Sequence, residues 1–364
     1  MPPPDPAARP KTLLWWGRSD PNYSRNRVVR CALQQLSWDI IDFTPRVSGL
    51  GHLEARLQRI GKPDLVWVPC FRQRDLAAAA RAARRWRVPL VFDPLISAYD
   101  KQVYERNKFP PDSAGAQKLL AKERGQFARA DLVIADTPAH AAYFHDTLGV
   151  DADRLAVVPV GAEAGLFEPT PLTPIVGRPI EVLFYGSFIA LQGPELIVEA
   201  ARRCPSARWA LLGDGPLRAA CEHAAGQADH IRFEAPVGYD QLSVRIARAD
   251  VLLGVFSPSA KAGRVVPNKV YQALACGRPV VTRRSDAYPA GLADQPATES
   301  GLAWVEPGNS AALSRAIEQL AGETEVLGQM ATAARSTYEK HMSADTIRDA
   351  IAAALSHLDT PSDT

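Results

Sequence analysis

Short runs of β-branched and aromatic residues alternate with longer segments of helical period through the whole chain, and this alternation restricts the fold more than any other feature. The runs at 12–16, 38–43, 64–69, 88–92, 131–135 and 155–160 are separated by helical stretches near 25–36, 51–60, 73–87, 114–129 and 138–148. Strands that feed crossover helices in this way predict a parallel sheet. The segment EPTPLTPIVGRP at 168–179 then places four prolines in twelve residues, a composition that continues neither a helix nor a central strand and reads as a linker. After it the alternation restarts, at 181–185, 208–213, 230–234, 250–256, 279–282 and 302–305. The pattern predicts an α/β chain of two doubly wound domains, 11–167 and 180–341, joined by the linker at 168–179 and facing across a cleft. Open parallel sheets bind ligands beyond the carboxyl ends of their strands, so chemistry is expected in that cleft. Helical segments at 324–341 and 343–358 follow, and Ser343 with Asp345 can cap the second. Residues 342–358 are expected as a C-terminal helix packing back on the first domain, with 1–10 and 359–364 as mobile tails.

Composition narrows the function classes. With 42 Lys and Arg against 40 Asp and Glu, the net charge of +2 lacks the basic excess of a dedicated nucleic-acid binder. Residues 1–170 hold 24 basic and 19 acidic side chains, which makes the first half the one suited to an anionic surface. The Pro-rich start has no apolar stretch of signal-peptide length, and no later window approaches the ~18 apolar residues of a membrane span. A cytoplasmic location is expected, the inner face of the plasma membrane included. Cys31, Cys70, Cys204, Cys221 and Cys276 lack CxxC or Cys/His spacing, and the seven histidines lack ligand spacing, so no metal site or disulfide framework is expected. Asp151 and Asp153, an Asp-x-Asp pair in the loop before 155–160, read as turn and cap residues. Residues 71–87, FRQRDLAAAARAARRWR, predict a basic helix with Phe71 and Trp86. One reading is weak peripheral membrane contact through the first domain; the other is a solvated helix whose alanine face, too small for firm insertion, packs on the sheet.

The densest chemical signal spans 249–282, ADVLLGVFSPSAKAGRVVPNKVYQALACGRPVVT. A buried strand ends at Phe256, a loop with Lys261 and Arg264 follows, and a helix is expected from Pro267, whose missing donor suits the first helical turn. Its free N–H groups, with Asn268 and Lys269 beside them, make a phosphate site at a strand's carboxyl end. The plain alternative is a solvated loop with two cations.

This segment resembles the signature of the family-four glycosyltransferases, retaining enzymes of the GT-B fold, built of two Rossmann-like domains, that take sugars from nucleotide-sugar donors. The family's glycine turn after the first strand of the second domain is matched by YGSFIALQG at 185–193, and the turn after the second strand by LLGDGP at 211–216. The helix ending in an Ala-Cys-Gly-x-Pro-Val-Val turn is matched by ACGRPVV at 275–281. The resemblance places Gly186, Ser187 and Gln192, then Gly213, Asp214 and Gly215, around the donor, with backbone near Ala235, Pro236 and Val237 recognising the base. It extends to a bacterial subgroup in the first half, through YSRNR at 23–27, FDPLISAYD at 92–100, ADLVIADTPAH at 130–140 and VVPVGAEAGLFEP at 157–169.

Two departures bear on the chemistry. Many family members carry two glutamates with seven residues between them, for donor sugar and ribose; the same spacing here gives Arg264 and Gln272. Many also place an Arg and a Lys in the first turn, where Ser187 and Gln192 stand here. Gln272 can still bond ribose hydroxyls, and Lys261, Arg264 and Lys269 can supply the charge from the other loop. In the first domain Asp93 lies where many members keep a sugar-contacting His. It reads either as a contact to the donor sugar, with Ser97, Tyr99 and Asp100 nearby, or as a cap of the following turn. In YSRNR, Ser24 can N-cap a surface helix, or Arg25 and Asn26 can contact phosphate or acceptor.

The resemblance implies a metal-independent, retaining, hexosyltransferase-like enzyme with Asp93, Arg264 and Lys269 as catalytic candidates. Its nucleoside-diphosphate sugar is a co-substrate rather than a cofactor, and its acceptor hydroxyl belongs to a glycan, a lipid-linked glycan or a small molecule. The leaving phosphate is held to take the acceptor's proton in this mechanism, so no glycosidase-like carboxylate pair is needed. Two other readings stand beside it: a non-catalytic nucleotide-sugar-binding subunit, supported by the missing glutamates, and a nucleotide-sugar 2-epimerase, which would need more acid–base residues than the motifs supply.

Overall fold

The computed structural model describes residues 11–172 and 177–359; the expected tail 1–10, the last residues of the chain and the middle of the proline-rich stretch lie outside them. Two compact units emerge. The first comprises residues up to 136, 140–159 and 347 onward, and the second 137–139 with 160–346.

In the first unit six parallel strands, β1 (Lys11–Trp16), β2 (Trp38–Phe43), β3 (Leu65–Val68), β4 (Leu90–Phe92), β5 (Leu132–Ala135) and β6 (Leu155–Val157), lie in the order β2-β1-β3-β4-β5-β6. The three-to-four-residue strands β3, β4 and β5 are wholly buried, as expected of strands covered on both faces. Helix Leu76–Trp86 buries Leu76 and five of its alanines against one face of the sheet, which is the packing reading of the basic helix. On the other face Trp15 stacks on Trp67, and Ile347, Ile351, Ala354 and Leu355 of the terminal helix Ala344–Asp359 join their cluster. That helix starts as its sequence suggested: Ser343 Oγ accepts the Thr346 N–H at 3.2 Å.

The second unit repeats the scheme with β7 (Glu181–Ser187), β8 (Arg208–Asp214), β9 (Ile231–Glu234), β10 (Val251–Leu253), β11 (Val280–Arg283) and β12 (Leu302–Val305). Their order, β12-β11-β10-β7-β8-β9, changes direction between β7 and β10. Loops leaving neighbouring strands at such a point diverge to opposite faces and leave a crevice at the carboxyl ends. In the first sheet the same reversal falls between β1 and β3.

Three local expectations are corrected. The helix that contains most of YSRNR begins at Ser24 with Tyr23 in the capping position and no side-chain cap; Ser24 is 5% exposed and its Oγ has no hydrogen-bond partner, so it is not the N-cap. The helix of the densest motif runs Asn268–Ala275, with Pro267 at the cap in extended conformation rather than in the first helical position. Pro267 still starts the helix, because its carbonyl accepts the Val270 N–H at 2.8 Å. Asp93, read in one alternative as a turn cap, instead puts its carboxylate on Arg25.

Candidate functional site

The crevice of the second unit is assembled from the two strands that flank the reversal. Gly186 closes β7 at a φ of +147°, and a Cβ there would lie 2.6 Å from Gln192 Oε1 and 3.0 Å from Lys269 Nζ. Gly213 at the end of β8 has a φ of +133°, and a Cβ on it would strike the Gly186 carbonyl. Gly215, at +151°, would put one 2.6 Å from the Phe188 nitrogen. The glycines thus let two strand ends and the first turn meet backbone to backbone, which no larger residue permits. Arg218 holds the second turn by donating to the carbonyls of Gly213 and Glu234, the latter at 2.9 Å. Asp214 is exposed and folds onto its own loop, accepting the Gly215 N–H at 2.7 Å. Ser187 and Val237 are exposed, whereas Gln192 is half-buried.

Lys269 enters this crevice from the first turn of its helix. Its Nζ donates to Gln192 Oε1 at 2.9 Å and sits 3.9 Å from the centre of the Phe184 ring. Burial pulls its pKa well below the ordinary lysine value, with no carboxylate among the described residues opposing the shift. One turn on, Gln272 is 2% exposed and uses both ends of its amide: Oε1 accepts from Tyr185 at 2.8 Å and Nε2 donates to the Tyr239 hydroxyl at 3.0 Å. Tyr239 in turn donates to the Glu163 carboxylate at 2.8 Å. Burial pushes the Tyr185 hydroxyl well above its usual range, which keeps it a donor. The loop with Lys261 and Arg264 is clamped by Arg283, which donates to the carbonyls of Ser257 at 2.6 Å and Ser259 at 3.0 Å, and by Ser285, whose hydroxyl reaches Gly263 O at 2.6 Å. Lys261 is buried; Arg264, Pro267 and Asn268 are half-buried.

At the reversal of the first sheet a different centre forms. Arg25, wholly buried, donates to Asp93 at 2.9 Å and to the carbonyls of Val158 at 3.0 Å and Pro159 at 2.6 Å. Burial pushes the Asp93 carboxyl upward against the pull of Arg25, while Asp93 keeps the guanidinium charged. Asn26 bridges the Asp20 carbonyl and the Cys70 thiol. Ser97, by contrast, caps a turn: it accepts the Asp100 N–H and donates to Glu123 at 2.7 Å. Glu123 also accepts the N–H groups of Ala98 and Tyr99, so these residues serve the loop's own geometry. Tyr99 and Asp100 are buried, and burial raises the Tyr99 phenol to about 12.

A model of the glycosyl transferase 4-like domain matches residues 6–161, and one of the glycosyl transferases group 1 matches 179–323. The chain belongs to the GT4-type glycosyltransferase family. It is 30% identical over 220 residues to a D-inositol 3-phosphate glycosyltransferase of Xylanimonas cellulosilytica, covering 55% of this chain and 51% of that one. A second, from Acidothermus cellulolyticus, is 31% identical over 245 residues, 61% of this chain and 52% of its own. The chain therefore spans about half the length of the curated relatives it matches. Its fold is GT-B. Anabaena HepE in complex with UDP superposes with a TM-score of 0.69 at 19% identity, covering 95% and 99% of the two chains. The sucrose-phosphate synthase of Thermosynechococcus elongatus gives 0.68 at 18%, covering 96% and 99%.

The glycosyltransferase motifs read from the sequence are thus brought together within each unit. Gly186, Gln192, Gly213, Gly215, Lys269 and Gln272 share one crevice, and Arg25 meets Asp93. Tyr185, Tyr239, Glu163, Arg218 and Arg283 were not singled out. Among the described residues no group of three or more His, Cys, Asp or Glu has metal-holding geometry, and no helix is long and apolar enough to cross a membrane. Asp153 lies in a short turn with Asp151, which pairs with Arg154 at 3.4 Å. All five cysteines are free, Cys31 exposed and the others buried.

Proposed function

We propose that this protein transfers a sugar, with retention and without a metal, from a nucleoside-diphosphate sugar to a hydroxyl of a glycan, a lipid-linked glycan or a small molecule. The observation that carries the reading is Lys269: a buried amine with no carboxylate beside it among the described residues, set between a glycine turn and the crevice of a parallel sheet. Such a group is stabilised by an anion, and a departing diphosphate is an anion whose charge grows in the transition state. Gly186 and Gly215 let the turns close up around the lysine, Lys269 meets the charge of the phosphates with Arg264 and Lys261 from the clamped loop, and Gln192 holds the lysine in place. Gln272 acts as a positioning residue, bracing the helix through Tyr185 and Tyr239. Cation charge from side chains does the work a metal would do. The binding of UDP and UDP-glucose by HepE makes the uridine nucleotides the first donors to try. The acceptor is assigned to the first unit.

Incubation with a panel of nucleotide sugars tests the reading. Slow release of nucleoside diphosphate, accelerated by an acceptor, is the expected result. Binding without release would instead identify a nucleotide-sugar-binding subunit, and a changed sugar without release an epimerase.

A further inference from the structure

The first unit carries a surface that the transfer reaction does not use. The helix Gly51–Leu57 buries Gly51 and Ala55, and Gly51 approaches so closely that a Cβ would lie 2.9 Å from the Trp16 ring. Its opposite face is also apolar. Leu50, Leu53 and Leu57, spaced on one helical face, are 53%, 48% and 82% exposed, and Val47 beside them is 55% exposed. An amphipathic helix satisfied by its own core leaves a polar outer face, so a second apolar face is unexplained by folding.

Alongside runs a groove of about 520 Å³ shared with the helix Leu76–Trp86, into which Arg56, Arg59, Arg81 and Arg85 all contribute. All four are exposed. Across 46–62 and 76–87 eight Lys and Arg meet a single carboxylate, Glu54. That carboxylate is itself turned onto the Arg46 N–H at 2.7 Å and the Gln58 amide at 3.1 Å. The basic helix noted in the sequence therefore lends charge, while the apolar contact comes from its neighbour.

We infer that this face docks on an anionic lipid bilayer, with Leu50, Leu53 and Leu57 entering the headgroup boundary and the arginine groove taking lipid phosphates. Charge complementarity selects that occupant. Two copies of the chain paired through this face would bring the same cations together, and a nucleic-acid backbone would offer the leucines nothing to enter. The surface places the enzyme at a membrane independently of which donor or acceptor it uses.

Vesicle sedimentation tests the inference. Phosphatidylcholine vesicles with about one third phosphatidylglycerol should bind the protein at low salt, and pure phosphatidylcholine should bind at least about tenfold more weakly. The pair Arg56→Gln and Arg59→Gln should cost about fivefold per arginine. Leu53→Ser with Leu57→Ser should cost about tenfold or more. If the leucine pair lowers the melting temperature, Leu57→Ser alone decides, since that side chain stands free of the core. No binding to the anionic vesicles, equal binding to neutral ones, or insensitivity to both leucine changes would overturn the inference. Displacement by millimolar glycerol phosphate would overturn it too, in favour of a free phosphate ligand.

Discussion

A buried cation stands at the reversal of each sheet, Arg25 in the first unit and Lys269 in the second, and the two are treated in opposite ways. Arg25 is given a carboxylate and two carbonyls, whereas Lys269 is given a neutral amide and the face of a ring. The Arg25 pair is nearly closed, since Nη2 is the one nitrogen of its guanidinium without a hydrogen-bond partner among the described residues. A buried ammonium with only neutral company is under strain that an arriving anion relieves. The first centre is therefore built chiefly for the fold, and the second for a ligand.

The largest effect expected from breaking this contrast lies in the first unit. Removing one partner of a buried pair leaves the other charge uncompensated, so Asp93→Asn should cost about 3–5 kcal/mol in urea denaturation followed by tryptophan fluorescence. A loss below about 1 kcal/mol would show that Arg25 does not depend on Asp93. In that case, a fall in turnover at unchanged nucleotide affinity would assign Asp93 to the sugar rather than to the fold.

Lys269 should behave in the reverse sense. Lys269→Met keeps the stem over Phe184 and deletes the charge, so the ligand-free protein should become more stable, by up to about 1 kcal/mol, while UDP binding measured by calorimetry falls by about 1.5–3 kcal/mol. The wild-type lysine also predicts a pH signature. Its folded pKa lies below the ordinary 10.5, so between the two values the unfolded chain holds more protons and stability rises with pH. UDP affinity, which needs the charged amine, falls over the same range. Lys269→Met should flatten both trends, and a variant that lost stability and kept its UDP affinity would remove the lysine from the donor site.

The contrast also marks what a sequence makes legible. Gly186, Gly213 and Gly215 announce themselves because only glycine suits those backbone angles, and Lys269 because it follows a loop that must end at the top of a parallel strand. The alternation of strands and helices likewise exposed both sheets. Partners far apart in the chain left no such trace. Arg25 and Asp93 are 68 residues apart and Gln272 and Tyr239 are 33 apart, and nothing local marks either pair. Ser24 failed as a cap for a related reason: a serine before a helix predicts a cap only while its side chain points outward, and here the sheet buries it. The exposed leucines at 50, 53 and 57 were hidden because 51–60 reads as an ordinary helix until its inner face is seen to be filled already.

The smallest effect expected concerns Gln272, where many relatives keep glutamate, and it tests whether the second site is braced from behind. Tyr239 spends its proton on Glu163, so the amide nitrogen of Gln272 must be the donor to the Tyr239 oxygen. Gln272→Glu replaces that donor by an acceptor, and a single phenolic proton is then shared between two carboxylates. The loss should be about 1–2 kcal/mol, one neutral hydrogen bond and some repulsion. It should also depend on pH. Burial and Glu163 raise the new carboxyl above its value in the unfolded chain, so the folded state holds the extra proton, and stability is retained at low pH and lost as pH rises through the raised value. Adding Glu163→Gln should recover most of the loss, because the Tyr239 proton is then free to serve the new carboxylate. A Gln272→Glu protein that is stable at every pH and binds UDP more tightly than wild type would refute the brace, and would return position 272 to the ribose contact that the resemblance implies.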